Sequence, residues 1–473
     1  MKTYPLTRGY LMLLAIVFGA IFLTVTFALS SFVLVENKLQ SSDTNKIKAV
    51  AIAEAGIEYY KWHLAHFPND LQNGTGAAGP YTIPYNDPEG SQTGTIVLKV
   101  TGNNTCGVST SIQLESKGTP TGSTNSATIY ARYARPTVAQ YSYVINDTVW
   151  AGSDRIINGP YHSNGGIRMD GTANAPVSSS LSTWSCTSSY GCSPTATKAG
   201  VWGAGPNQTL WSYPNPQVDF SAISADFSNL KTTAQAQGVF FPRFSSGNGG
   251  VSFYKGYHLK FLSDGTVDVY RVTSEYNNTI YATADGSSDT SDYTQIKNET
   301  LYGNYAIPSG CRLIYVEDHV WVEGAVANKV TVVSADIVHS GVDTNIMLPG
   351  NITYTTNDGS AGLTVIAEKN VLITPDSPTN MNLNGIFIAQ GGAFGRNLYD
   401  CPTSFEPKGK LTMFGTTVSN KRTGTKWMNG CGNGSDAGYQ SRIDTYDRKL
   451  STNPPPFTPY TSSDYSFIDW RQK

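Results

Sequence analysis

Residues 10–35 run for 26 positions without a charged side chain, and Lys2 and Arg8 precede them. A helix rising about 1.5 Å per residue would carry that run across about 39 Å, more than the roughly 30 Å of a hydrocarbon core. Such a segment has to end in lipid or against other apolar segments. Positive charge before the run, and mixed charge after it (Glu36, Lys38, Asp43), place the N-terminus in the cytoplasm and the bulk of the chain outside. A secretory signal has a shorter apolar core of about 7–15 residues before its small-residue cleavage site. Ala28-Leu29-Ser30 is a passable site of that kind, so a cleaved signal or a plain anchor is the alternative. The helical pattern does not stop at residue 35, however. Ile47, Val50, Ile57, Tyr60 and Leu64 recur at three- and four-residue multiples, with no proline until Pro68. The spacing predicts one helix over 10–66, apolar all round in its first half and striped in its second.

A short basic leader ending in Arg8-Gly9, an aromatic Tyr10 and a long apolar helix together resemble a type IV prepilin. The stretch 51–60, Ala-Ile-Ala-Glu-Ala-Gly-Ile-Glu-Tyr-Tyr, looks like the segment after the membrane helix in PilX-like minor pilins. The resemblance implies that prepilin peptidase cleaves after Gly9 on the cytoplasmic face and that Tyr10 becomes a methylated N-terminus. It also implies assembly with other pilin-like subunits through the helix. The chain departs from the pattern at the fifth mature position. Most major pilins carry Glu there and this chain has Leu14, which fits a minor or tip subunit better than a major one. The small residues Ala49, Ala51, Ala53, Ala55 and Gly56 have two readings: close approach of a sister helix, or close approach of the chain's own β domain.

Charged residues make up 14% of the 473, well below the roughly 25% of an average globular chain. The net charge of −2 offers no surplus of cations for phosphate backbones, so a nucleic-acid partner is not expected. The 46 Gly, 24 Pro and 28 Tyr favour turns and short strands. The even set of six cysteines, Cys106, Cys186, Cys192, Cys311, Cys401 and Cys431, contains no Cys-x-x-Cys pair. Cys186 and Cys192 bracket a loop short enough for a local disulfide, and Cys401 and Cys431 flank a strand-like segment. By elimination Cys106 pairs with Cys311. Buried free thiols are the alternative, and the outward placement implied by the N-terminus favours disulfides.

The body reads as β-rich. Residues 96–101, 112–116 and 127–134 alternate apolar and polar, a small β unit. Further on, 320–324, 381–385 and 411–415 share an apolar-x-apolar-x-Gly pattern, and 156–172 joins short period-2 pieces through glycine corners. Short strands turning on Gly or Asn again and again are how a parallel β-solenoid is built. A β-sandwich is the alternative. Segments 159–172 and 320–420 also look like the C-terminal region that accompanies PilX-type N-termini in some bacterial pilus-assembly proteins. With the N-terminus, the resemblance covers roughly half the chain.

The expected fold is therefore mainly β with a long N-terminal α-helix: a pilin-like membrane helix, then an interrupted right-handed parallel β-helix. The expected divisions are a leader (1–9), the transmembrane and assembly helix (10–66), a linker with a small β unit (67–146) and the first part of the solenoid (147–182). An insertion with a hairpin turning on Asp264-Gly265 (183–312), the main solenoid (313–420) and a Pro-rich strap (421–473) follow. Within the last, 464–471 would dock the tail on the body.

No catalytic constellation emerges. There is no phosphate-binding loop and no Gly-x-Ser-x-Gly elbow. His63 and His66 lack further ligands, and His162 reads as a corner or surface residue. Glu317, Asp318, His319 and Glu323, with Asp336 and His339, form an acid-rich edge. Tyr141, Trp150, Trp202, Trp211 and Trp321 could stack on sugars. A membrane-anchored β-helix that binds or degrades polysaccharide is thus the rival. The expected function is a non-enzymatic minor or tip subunit of a type IV pilus or related secretion pseudopilus, with no cofactor and no metal. Its partners would be sister subunits, prepilin peptidase, the inner membrane and extracellular surface ligands. It would sit in the cytoplasmic membrane before assembly and at the cell surface afterwards.

Overall fold

The computed structural model describes residues 8–472 apart from 68–69, 245–254, 289, 340, 400, 402–404, 433 and 463. Most of the 1–9 leader, and the helix-ending Pro68, lie outside the described residues. The chain divides into two units, 1–103 with 112–133 and 469–473, and 104–111 with 134–468.

In the first unit a single helix, Arg8–His66, is unbroken for 59 residues. Its second half rests on a five-stranded sheet ordered Tyr81–Asn86, Gln92–Thr105, Val108–Pro120, Ala127–Ala134 and Ser466–Gln472. The last strand comes from the segment expected to dock on the body. It instead joins the sheet beside Ala127–Ala134, and Trp470 stays exposed. Ala49, Ile52, Ala53, Ile57, Tyr60 and Leu64 are buried, as are Ile96, Leu98, Leu114 and Ile129 of the sheet.

The contact is close because both surfaces are small where they meet. A Cβ on Gly118 would run into the helix backbone at Ala49 O and Ala53 N, and one on Gly56 into Ser116 and Ile96. Ala49, Ala53 and Gly56 therefore serve the chain's own sheet, whereas Ala51 stays exposed. Gly118→Val should force helix and sheet apart at a point where the obstacle is main chain. Denaturant unfolding of the full chain should show a loss of about 1–3 kcal/mol.

The second unit stacks short strands in parallel. One column runs Val239–Phe241, Leu313–Val316, Lys329–Ser334, Gly362–Ala367, Met381–Ala389, Lys408–Ser419, Tyr143–Ile145, Tyr161–Ser163, Val177–Ser179 and Trp211–Ser212. A second includes Gly256–Phe261, Val320–Val326, Ile352–Tyr354, Ala437–Thr445, Arg155–Asn158 and Thr172–Ala173. A third joins Ile346–Leu348, Val371–Ile373 and Phe394–Gly395. Parallel pairing of this kind excludes the sandwich.

The order of strands is permuted relative to the chain. The chain enters at Tyr143–Ile145, runs to one end at Trp211–Ser212, and resumes at the opposite end with Val239–Phe241. It then returns until Lys408–Ser419 pairs with the entry strand. Residues 183–312, read as an insertion, thus contribute Trp211–Ser212, Val239–Phe241 and Gly256–Phe261 to the stack. The hairpin on Asp264 forms, and its second strand extends to Thr266–Ala282, pairing with Ser291–Ala306.

Alternation explains why the strands of the first column are apolar on both faces. Ile314, Val316, Val332, Val365 and Phe387 point into the stack. Leu313, Tyr315, Val333, Ile366 and Ile388 point outward, under Ile223, Leu230, Ala234 and Leu450 of short helices. The repeated pattern stacks on itself: Leu383 lies over Met413 and Gly385 over Gly415. At both glycines φ is positive, 157° and 141°, a conformation that suits a residue without Cβ. Within 421–473, expected to be a strap throughout, Ala437–Thr445 instead joins the stack, and the proline segment 453–459 is tied down by Val138 N–H donating to Pro459 O (3.1 Å) and by Thr364 Oγ1 paired with Thr458 Oγ1 (2.8 Å).

Candidate functional site

The first half of the helix carries most of the exposed large apolar side chains among the described residues of its unit. Its most apolar window has a mean hydropathy of 2.6, and none of it is buried. It is the one helix among the described residues long and apolar enough to cross a membrane. Three of its hydroxyls are satisfied within the helix: Thr24 donates to Ile21 O (2.8 Å), Thr26 to Phe22 O (2.9 Å) and Ser31 to Phe27 O (2.8 Å). Tyr10 and Leu14 are both exposed on it. At the other end, Tyr60 OH donates to Asp70 O (2.8 Å), and the Asp70 carboxylate accepts from Gln72 N (2.7 Å) and meets His63 Nε2 (2.9 Å). These backbone N–H contacts, first that of Gln72, hold the Asp70 pKa below its ordinary value. His63 is thereby part of the helix end. His66 turns instead to Trp62 O (2.8 Å). No metal-binding group of three or more His, Cys, Asp or Glu occurs among the described residues.

The cysteines pair as Cys106–Cys311, Cys186–Cys192 and Cys401–Cys431. Most of the aromatic side chains flagged for sugars are otherwise engaged. Trp321 is fully buried, and the Arg168 guanidinium lies over Trp150 (4.0 Å) and Trp202 (5.2 Å). His162 is buried rather than at a corner or surface, between Ser178 Oγ (2.9 Å) and Asn164 Oδ1 (3.1 Å).

The acid-rich edge splits in two. Glu317 is paired with Lys231, Glu323 lies near His258 Nε2 (3.6 Å), and Asp336 is held by Arg243 and His339. Asp318 and His319 instead line a cleft of 730 Å³, closed on its other side by the long hairpin with Glu275, Asp292 and Thr294. One wall is a ladder of polar corner residues from successive layers. Asn345 N–H donates to His319 Nδ1 (3.0 Å), and Asn370 N–H donates to Asn345 Oδ1 (3.0 Å). Asn370 Nδ2 donates to Asp285 Oδ2 (3.0 Å) on the hairpin side.

Burial, reinforced by Arg243 and Lys369, pushes the His319 pKa down to about 4, so the ring is neutral and its Nε2 carries the proton. Burial also raises Asp318 and Asp292, and pushes Glu275 up to about 8, with Asp292 and Asp318 adding to the shift and Lys255 opposing it. Glu275 therefore stays protonated in the fold while it ionises at its ordinary 4.5 when unfolded, so stability falls as pH rises from 4.5 towards 8. Glu275→Gln should remove that loss. Melting curves should coincide near pH 4 and separate near pH 8, the variant being more stable by about 2 kcal/mol. Glu275 and Asp292 were not flagged from the sequence, because both lie in 183–312, the stretch read as an insertion.

No protein-family model matches the chain, and no curated protein matches it. Among solved structures it is similar to the crystal structure of the competence-associated pilin ComZ from Thermus thermophilus. The identity is 13% and the TM-score 0.31, over 91% of this chain and 98% of that one. At those values the functional reading rests on the chain's own residues.

Proposed function

We propose that the chain is a pilin-like structural subunit, minor or tip, of a type IV pilus or a related secretion pseudopilus. Prepilin peptidase cuts after Gly9, Tyr10 becomes the N-terminus, and the helix passes from the inner membrane into a filament by exchanging lipid for sister helices. The β-rich body, an interrupted parallel β-helix, then lies outside and serves assembly or adhesion. Its hand is right, as for nearly all parallel crossovers. No covalent chemistry is required of the folded protein, which fits the pairing of Glu317 and Asp336 with Lys231 and Arg243.

The observation that supports this reading best is the single helix of two regimes. Its apolar first half is exposed, while Ala49, Ala53 and Gly56 of its second half pack on its own sheet. The exposed apolar surface is thus concentrated in the membrane-length half, with Leu39, Ile47 and Trp62 beyond it. Shearing and sedimenting surface filaments tests it. The chain should be recovered with the filament fraction, and a version lacking residues 10–35 should not. Equal recovery of both would refute assembly through the helix.

A further inference from the structure

The long hairpin leaves the stack soon after its base. Residues 267–272 pair with Gly256–Phe261, which is itself paired with Val320–Val326. Beyond residue 272, among the described residues, its first strand has only Ser291–Ala306 beside it until Ile280 and Ala282 meet Tyr399 and Leu398. The stretch between is irregular. Pairing within the hairpin shifts register twice between Val272 and Glu275 and again between Tyr276 and Asn278, and such shifts interrupt the hydrogen-bond ladder. Tyr276, Tyr281 and Tyr293 are exposed on it. Its apolar docking is a small cluster of Val272 and Ile296 with Trp321 and Met347 of the stack. Few buried apolar contacts make a segment the first to open.

The other fastenings are polar, and several titrate. Trp321 Nε1 donates to Thr294 O (2.5 Å), and Ala284 N–H donates to Asn397 Oδ1 (2.9 Å). Asp292 is hydrogen-bonded to Thr294, Tyr399 and Asn278, with Arg396 nearby. His258 of the stack meets Glu299 Oε2 of the hairpin through Nδ1 (2.9 Å), and its Nε2 lies 3.6 Å from Glu323 Oε1. Lys260 Nζ is 3.7 Å from that same oxygen, and the Tyr270 ring is 5.6 Å from the imidazole. Glu275 shares the cleft with Asp292, Asp318, Lys255, Tyr293 and neutral His319, while Arg243 and Lys369 are paired with Asp336 and Asp343.

Docking shifts these groups in one sense. Burial raises Glu275, Asp292 and Asp318, although Lys255 opposes it at Glu275 and Arg243 at Asp318. Burial lowers His258, but Glu299 and Glu323 outweigh it and the net shift is upward. A raised acid is docked protonated and a raised histidine is docked charged, so each favours the docked hairpin at low pH. The share of Glu275 is lost between 4.5 and about 8, and that of His258 as pH climbs above 6.5. We propose that the hairpin beyond residue 272 is a pH-released strap, seated over Trp321 in mildly acidic surroundings and freed at alkaline pH while the stack beneath stays folded. Release uncovers Trp321 and the Asp318–His319 wall of the cleft. The strap works in the same way whether or not the helix assembles.

Hydrogen exchange of the full chain in detergent, read by mass spectrometry at pH 5 and pH 8.5, tests this, with every rate divided by the intrinsic rate of its peptide. Protection in peptides from 273–282 and 291–296 should fall by about tenfold or more between the two, the effect of at least one unit of pKa. Peptides covering 313–334 and 362–373 of the stack should keep theirs. Glu275→Gln, neutral at both values, should shrink the fall severalfold. His258→Gln should shrink it too, by lowering protection at pH 5 while leaving that at pH 8.5 unchanged. Hairpin protection that is equal at both values, an equal loss in hairpin and stack, or a fall undiminished in both variants would overturn the proposal.

Discussion

Asp444→Ala should destabilise the body by about 3–5 kcal/mol, the usual result of removing one member from a buried ion pair. Asp444 is 1% exposed and accepts from Arg442 Nε (2.7 Å), Arg155 Nη2 (3.1 Å) and Tyr143 OH (3.0 Å). Both guanidinium groups also lie over the Tyr143 ring, at 4.8 and 5.0 Å. Without the carboxylate, two buried positive charges on paired strands would be left beside one aromatic ring. The position amplifies the effect. Strand Ala437–Thr445 pairs with Lys408–Ser419 on one side and Arg155–Asn158 on the other, so Asp444 sits where the late strands meet the early ones. Amide exchange should quicken first at 143–145 and 417–419, which pair across the same seam. A stability loss below about 1 kcal/mol, the size of an ordinary surface substitution, would mean that the cluster does not hold the seam.

Replacing both Cys106 and Cys311 by Ser should cost at least as much. Their sequence separation of 205 closes a very long loop, for which chain-entropy arguments give about 4–5 kcal/mol. Cys186 and Cys192 are only 6 apart, and by the same argument their removal should cost about 2 kcal/mol. Denaturant unfolding of the two double variants should therefore rank them in that order. The reverse ranking would show that the long bridge does little to restrict the unfolded chain.

The helix was legible because its two regimes are written in adjacent residues: no charge over 10–35, then a stripe at Ile47, Val50, Ile57, Tyr60 and Leu64, of which the last three are buried and Ile47 stays exposed. The parallel stacking was legible where one pattern recurs, as in 381–385 over 411–415. What stayed hidden is non-local. Nothing near residue 146 announces that Asn146 Nδ2 will donate to Asn420 Oδ1 at 2.8 Å, 274 positions away. Trp211–Ser212 and Val239–Phe241 are too short for a period to show, so their stretch read as an insertion. Strand Ser466–Gln472 keeps most of its side chains exposed or half-buried, which erases the alternation that would have marked it. Half of the cleft was visible in the acids around His319. Glu275 and Asp292 reach it only through the pairing of the hairpin, although acids at inward positions of a strand are a signal that could have been used.

The central claim is that the apolar helix is kept, trimmed at its start, as the part that joins this subunit to its neighbours. Mass spectrometry of the N-terminal peptide, taken from protein isolated from cells that make it, reads this directly. The account predicts a peptide beginning at Tyr10 and carrying one added methyl group on its amine. A mature chain beginning near Ser31, or one that still begins at Met1, would contradict it.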